Sequence, residues 1–392
     1  MSSNHPLSGT TAISGLGMTE LGRVYGRSAT DLAVDAVLRA LADAGLAKSE
    51  LDGLLLNAGI SQGIDLSLAQ AIGLRGLALQ TQMNGFGSSA GQMVGYAALA
   101  VSAGLAKHVA CVFADAPLVP GVRAGQAYGR ARAGRRGVMS IPPALGFVGP
   151  IPYYALHAQR HMDLYGTTQD QLGAIALTSR TWAQKNPLAT MRDPLDLAGY
   201  HASPWIVEPF HVLDCCLVSN GAICVIVSAA EQARDLARPP VYVRGLAQAH
   251  QLEWDDAAPS LAQRSSAAAF AMAGCAPRDI TLCELYDCYT FTVITTLEDY
   301  GFCKRGEGGV FAASGALAPG GTLPTNTGGG MLSGYYMWGM TPISEAVIQA
   351  RGDGGARQVE RRDLIAVSGN GGIFNYHATL VLSPHARSGL RS

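Results

Sequence analysis

From Ser28 to Gly45 the apolar side chains fall at Leu32, Ala36, Val37, Ala40, Leu41 and Ala44. That spacing, near 3.6 residues, predicts a helix with one buried face. Ser28 and Asp31 supply a capping box ahead of it, and Gly45 supplies the residue that closes it. Elsewhere the apolar positions are continuous instead of periodic. Leu54-Leu55-Leu56, Val109-Ala110-Cys111-Val112-Phe113, Ala222-Ile223-Cys224-Val225-Ile226-Val227 and Leu364-Ile365-Ala366-Val367 show no polar alternation. Such short runs predict strands covered on both faces. Strands alternating with helices predict α/β layering with largely parallel sheets.

The pattern repeats. Ala44-Gly45-Leu46-Ala47-Lys48-Ser49-Glu50-Leu51 aligns with Ala273-Gly274-Cys275-Ala276-Pro277-Arg278-Asp279-Ile280, an offset of 229 residues. Each copy closes a helical pattern and then enters a strand, Leu54-Leu55-Leu56 in one and Leu282-Cys283-Glu284-Leu285 in the other. The joint falls near Ala237-Arg238-Pro239-Pro240, where two prolines break regular structure. This predicts two similar halves, residues 1–236 and 240–392, whose equivalent helices lie back to back. Residues 117–205 are poorer in strand pattern and read as a loop insertion in the first half.

Composition narrows the class. The chain has 392 residues, 48% apolar against 15% charged, enough to bury a large core. A net charge of −1 argues against nucleic acid or an acidic membrane as partner. None of the eight cysteines has paired zinc spacing, so they read as reduced core thiols and no metal site is expected. Met1-Ser2-Ser3-Asn4-His5 lacks a signal-peptide pattern, and no apolar run approaches the ~18–20 residues of a membrane span. A soluble, cytoplasmic protein is expected.

The richest stretch is Asn84-Gly85-Phe86-Gly87-Ser88-Ser89-Ala90-Gly91. Four further segments accompany it: Cys283-Glu284-Leu285-Tyr286-Asp287-Cys288-Tyr289-Thr290 with Leu297 to Gly309, Pro324-Thr325-Asn326-Thr327-Gly328-Gly329-Gly330, Glu345 to Gly352, and Ser368-Gly369-Asn370-Gly371-Gly372. Together and in this order they resemble the thiolase superfamily, in its sterol-carrier-type, lipid-transfer branch. The resemblance implies a duplicated five-layered αβαβα fold. It also implies a catalytic set that this chain has nearly erased. The nucleophilic cysteine is replaced by Gly87, the oxyanion-hole asparagine by Tyr286 and the proton-shuttling cysteine by Ser368. No histidine stands in Gly334-Tyr335-Tyr336-Met337-Trp338-Gly339, where the family has one.

The same pattern is similar to the thiolase-like aldolases of steroid side-chain degradation, which cleave a β-hydroxyacyl-CoA by a retro-aldol reaction. That resemblance implies two catalytic tyrosines, Tyr286 and Tyr336, with Tyr335 as the register alternative to the latter. It further implies a homodimer, joined by a small OB-fold and zinc-ribbon protein into a heterotetramer, with coenzyme A entering only as part of the substrate.

Retro-aldol chemistry needs a base for the β-hydroxyl, donors for a thioester enolate and a proton for the α-carbon. It needs no acyl-enzyme, so the loss at position 87 is tolerable. Tyrosine is a weak base, with an ordinary pKa near 10, unless it is stabilised as phenolate or relays a proton. Tyr286 is assigned as base and Tyr336 as enolate donor, with Asp287 orienting backbone or a partner. Gly87, Ser88, Asn326, Gly329, Gly330, Gly371 and Gly372 are the candidate substrate contacts, the glycines because they let backbone N–H groups approach a thioester. Ser88 and Ser89 also read as helix-capping residues. A serine nucleophile would need a base, for which His161 and His211 are best placed along the chain. Arg123, Arg130, Arg132, Arg135 and Arg136 of the insertion are either solvated surface or a grip on coenzyme A phosphates. Two alternatives stand beside the aldolase: an acyltransferase with a relocated thiol at Cys288 or Cys303, and a non-catalytic scaffold subunit.

Overall fold

The computed structural model describes residues 5–126, 144–251 and 260–386. Arg130, Arg132, Arg135 and Arg136 lie outside the described residues. Eleven strands are described: β1 Thr11–Met18, β2 Gly53–Asn57, β3 Leu79–Gln82, β4 His108–Asp115, β5 Trp205–Val207, β6 Phe210–His211, β7 Gly221–Ala229, β8 Val241–His250, β9 Leu282–Glu284, β10 Ile365–Gly371 and β11 Tyr376–Ser383. Seven helices carry the architecture: α1 Ala29–Ala44, α2 Ser89–Ser102, α3 Ile151–Tyr165, α4 Gln169–Ala183, α5 Leu261–Ala273, α6 Thr290–Asp299 and α7 Met340–Arg351.

Nine strands run in the order β3-β2-β4-β7-β1-β8-β11-β10-β9, which is a palindrome in structural terms. Reading outward from the centre, β1, β7, β4 and β2 are matched by β8, β11, β10 and β9. Thr325, bridged in parallel to Cys283, stands where β3 stands in the first half. Within the sheet the halves join where β1 pairs with β8, through Ala12 with Tyr242 and Ile13 with Val241. α1 covers β1, β4 and β7 from outside, and α5 covers β8 and β11. Between the halves lie α2 and α7, back to back and buried along almost their whole length. The result is five layers, as a duplicated α/β chain requires.

Duplication extends to backbone detail. Gly45 and Gly274 close α1 and α5 with φ of 74° and 70°, each donating its N–H into the last turn. A side chain on Gly15 or Gly17 of β1 would meet the carbonyls of Ala40 and Ala36 at 2.4 and 2.0 Å. One on Gly245 of β8 would meet the carbonyl of Ala269 at 2.1 Å. In both halves the outer helix lies directly on the strand because glycine permits it.

The expectation of largely parallel sheets is corrected. Only β2–β3, β2–β4 and β9–β10 are parallel, and the five pairs nearer the centre are antiparallel. Continuous apolar runs report burial on both faces, and helices here supply that whatever the strand direction. The four-residue link between β10 and β11 can only be an antiparallel turn.

The described residues of the segment between β4 and β7 do not form a loose loop. Its helices α3 and α4 dock on the second half: His161 Nε2 meets Glu298 Oε2 at 3.1 Å, and Trp182 Nε1 donates to the Leu317 carbonyl at 3.0 Å. Arg180 Nε donates to Ser333 Oγ at 3.1 Å and Asn186 Nδ2 to the Gly328 carbonyl at 2.8 Å. First-half sequence thus braces a second-half glycine loop.

Candidate active site

The link from β3 to α2 is shaped by Phe86, held at φ 54°, and by two serines that turn inward. Ser89 Oγ accepts the Gly85 N–H at 2.8 Å. Ser88 Oγ donates to the Gly85 carbonyl at 2.7 Å and accepts from Gln92 Nε2 at 2.8 Å. Between them Gly87 is boxed in. A Cβ there would lie 2.1 Å from Cζ of Tyr286 and 2.2 Å from the Asn370 carbonyl oxygen. The phenol ring of Tyr286 therefore occupies the space any side chain at position 87 would need. It lies at the N-terminal end of α2, where the helix dipole favours negative charge.

Tyr286 follows β9 and is fixed along its backbone. Its N–H donates to Ser368 Oγ at 2.9 Å, and the preceding N–H of Leu285 donates to Asn326 Oδ1 at 2.6 Å. Only 4% of the residue is exposed. Its hydroxyl stands 3.2 Å from that of Tyr336, a hydrogen bond between residues fifty apart in sequence. Burial pushes the Tyr286 hydroxyl well above its ordinary pKa, with the bond to Tyr336 opposing.

Tyr336 follows a wide turn over Gly330–Gly334. That turn rests on Asp287, whose Oδ1 accepts the Met331 N–H at 2.9 Å. Gly330, at φ 55°, has no room for a side chain, since a Cβ would lie 2.0 Å from Asp287 Oδ2. Asp287 is fully buried, Oδ2 has no hydrogen-bond partner among the described residues, and burial pushes the carboxyl up to about 7. Tyr336 N–H donates to Ser219 Oγ at 3.0 Å. Tyr335, the register alternative, turns away to Ser344 Oγ at 3.1 Å and is buried. One aspartate thus seats the loops of both tyrosines.

The remaining sequence candidates divide. Gly371 faces the Gly85 carbonyl at 2.1 Å from a would-be Cβ and so walls the Gly87 loop, whereas Gly372 turns the chain at φ 61° against the Tyr376 ring. Asn326 serves the backbone before Tyr286. Gly329 backs onto Ala183 of α4. Ser88 is spent on Gly85 and Gln92, so neither serine bonds to a histidine. His161 is engaged by Glu298 and Thr167, and His211 by the Ser203 carbonyl and the Trp205 ring. Burial raises all eight thiols above their ordinary pKa, Cys288 strongly and Cys303 to about 12. That is the opposite of an activated nucleophile. Sequence reasoning missed Tyr154 and Asn370, whose side chains meet at 3.2 Å beside this site from 216 residues apart. Among the described residues no cluster of His, Cys, Asp and Glu could hold a metal ion. No described helix is long and apolar enough to cross a membrane.

The chain is similar in sequence and structure to known proteins. The family model described as thiolase C-terminal domain-like matches residues 245–384. A steroid side-chain-cleaving aldolase from Thermomonospora curvata is 36% identical over 384 residues, covering 93% of this chain and 96% of that protein. A 17-hydroxy-3-oxo-4-pregnene-20-carboxyl-CoA lyase from Mycobacterium tuberculosis is 35% identical over 360 residues, covering 88% and 92%. The solved Ltp2-ChsH2(DUF35) aldolase superposes with a TM-score of 0.85 at 34% identity, covering 98% of this chain and 100% of that one.

Proposed function

Because the chain belongs to the thiolase superfamily, among its steroid side-chain-cleaving aldolases, we propose that it cleaves a β-hydroxyacyl-CoA by retro-aldol chemistry, without a covalent acyl-enzyme. It is a carbon–carbon lyase of thiolase fold. The observation that carries the mechanism is the Tyr286 ring filling the space over Gly87 and reaching Tyr336 at 3.2 Å. A group that fills the nucleophile's place and ends in a hydroxyl can move protons there, and it cannot hold an acyl group.

Burial disfavours a resting phenolate on Tyr286, so the pair works best as a relay. Tyr286 oxygen takes the β-hydroxyl proton while its own proton passes to Tyr336, and Tyr336 gives its own hydroxyl proton to the α-carbon in the same step. The Cα–Cβ bond breaks as these transfers proceed, its electron pair going to the α-carbon as enolate character that this proton quenches. The products are a ketone or aldehyde and the shorter acyl-CoA, and both tyrosines end as neutral hydroxyls. No net charge builds up on either tyrosine, which suits a buried site.

The substrate class follows the relatives: a steroid side-chain CoA ester, with coenzyme A entering as part of the substrate and no resident cofactor. Gly87, Gly371 and Gly372 line the thioester side of this reading. A homodimer is proposed through the groove of about 400 Å³ between β3, α2 and β8, where Tyr96 and Leu99 are exposed. The solved aldolase with a DUF35 partner supports a complex with a small protein, for which an OB-fold and zinc ribbon are proposed.

The test is cleavage of a β-hydroxyacyl-CoA by the full chain, with and without that small protein, read as ketone and shorter acyl-CoA. Tyr286→Phe and Tyr336→Phe should each lose ~10²–10⁴ in rate with little change in ester affinity. The double variant should be scarcely worse than the poorer single one. Retention of more than about a third of the activity by both would sink the relay, against a general acid or base contribution of ~10² or more. An acyl group found on any cysteine by mass spectrometry would instead favour the relocated thiol.

A further inference from the structure

Resting on that reading of the tyrosine pair, we propose that Tyr154 is a positioning residue of the site: acting through Asn370, it sets how the Tyr286 ring lies over Gly87. Tyr154 belongs to α3, in the segment inserted between β4 and β7, and so comes from the half that contributes no other hydroxyl to the pair. It is 4% exposed.

Two second-half loops flank Gly87, and Tyr154 grips both. Toward the loop after β9, its ring packs on Tyr289, with centroids 4.7 Å apart, three residues beyond Tyr286. Toward the end of β10 and the loop that follows, its hydroxyl accepts from Asn370 Nδ2 at 3.2 Å, and its ring meets Phe374 edge-on at 5.0 Å. Asn370 is buried, and this is its side chain's hydrogen bond; Oδ1 has no partner among the described residues. The Asn370 carbonyl abuts Gly87 in the same space as the Tyr286 ring.

That second loop is strained. Gly372, Ile373 and Phe374 follow one another at φ 61°, 58° and 64°. The left-handed region is uncommon for residues other than glycine and persists only where surroundings over-determine it. Tyr154 supplies part of that constraint, at Phe374 by packing and at Asn370 by hydrogen bonding. Loosening it lets the Asn370 carbonyl move against Gly87, and the Tyr286 ring has to follow.

Tyr154→Phe keeps the ring and removes the bond to Asn370. It should lower kcat by about 3- to 10-fold, the range of one neutral hydrogen bond, with KM unchanged. Asn370→Ala should match it, and the double variant should add nothing further. Tyr300→Phe is the control: Tyr300 is comparably buried, in the second half, and bonds to Thr379 Oγ1 at 2.7 Å instead. It should lose comparable thermal stability and keep its kcat. A second readout does not depend on turnover. With 3-fluorotyrosine at position 286, the ¹⁹F resonance should move in Tyr154→Phe and Asn370→Ala and stay in Tyr300→Phe. An unmoved resonance, or a kcat loss shared by Tyr300→Phe, overturns the assignment even if the aldolase reading stands. If the wild-type chain cleaves no ester, the aldolase reading fails and the resonance still decides the role of Tyr154.

Discussion

The two halves of the chain share a template and divide the labour. Each places an aromatic residue at positive φ and then a glycine before its central helix: Phe86-Gly87 ahead of α2, and Trp338-Gly339 ahead of α7. The two rings lie 6.2 Å apart, and a Cβ on Gly339 would meet the Gly87 carbonyl at 2.4 Å. The similar backbone solution serves different ends. In the first half the glycine makes room for the Tyr286 ring, and in the second it makes room for the first half's loop. The connections differ still more. Residues 116–220 join β4 to β7, whereas residues 372–375 join the equivalent β10 to β11. One half supplies space, a helix end and a brace; the other supplies the hydroxyls. Symmetry governs the scaffold and stops at the chemistry.

The severest way to break this division is to refill position 87. Gly87→Ala forces a methyl into the Tyr286 ring and the Asn370 backbone. It should cost roughly 1–3 kcal/mol of stability, or more where backbone must shift. Activity should fall by ~10² or more, because the tyrosine is displaced by about an ångström. Adding Tyr286→Ala should recover much of the stability and none of the activity, as measured by thermal unfolding and ester cleavage. If Gly87→Ala alone is neutral in both, the ring does not claim that space.

A middle-sized contrast lies between Asp115 and Asp287, one buried carboxyl from each half. Asp115 accepts N–H bonds from Ile60, Ser61 and Ala116, whereas one oxygen of Asp287 has no partner among the described residues. Burial raises both, Asp287 to about 7. Below the ordinary carboxyl value near 4, folded and unfolded chains both hold the Asp287 proton and its contribution is full. Between that value and about 7 the folded state keeps a proton the unfolded chain has lost, so stability falls as pH rises. Asp287→Asn should remove this decline, on the order of 4 kcal/mol, when unfolding is followed from pH 4 to 8. Asp115→Asn should lower stability without removing that Asp287 decline. Identical pH profiles for wild type and Asp287→Asn would refute the point.

The finest comparison uses the helix-closing glycines. Gly45→Ala and Gly274→Ala impose the same left-handed penalty, about 1 kcal/mol. Only the methyl at position 45 meets a neighbour, Ala237 Cβ at 3.0 Å, while nothing lies within 4 Å at position 274. The first variant should therefore be slightly the less stable by chemical denaturation, and the reverse order would mean that matched φ values conceal unmatched surroundings.

Much of this was legible beforehand because it is written locally. Ser28 bonds to the Asp31 N–H as the capping box requires, and Gly45 and Gly274 mark the repeat in a single residue each. Tyr286 and Tyr336 are legible as candidates because motif order singles them out, and their hydroxyls meet at 3.2 Å. Strand direction was not legible, since burial on both faces carries no sign of it. The partnership of Tyr154 with Asn370 was equally hidden. No local pattern distinguishes a core tyrosine from one that holds an active-site loop, and only tertiary approach brings the two together. Ser88 looked available for a ligand because sequence gives its hydroxyl but not the Gly85 carbonyl that occupies it.

The close fit of Tyr286 over Gly87 also constrains history. A side chain at 87 and a tyrosine at 286 cannot share this space, so replacements at the two positions are not interchangeable in order. In this backbone the glycine has to be in place before the phenol can enter, and the phenol has to leave before a larger side chain can return to position 87. The two positions are therefore linked across 199 residues of sequence, each setting what the other can become.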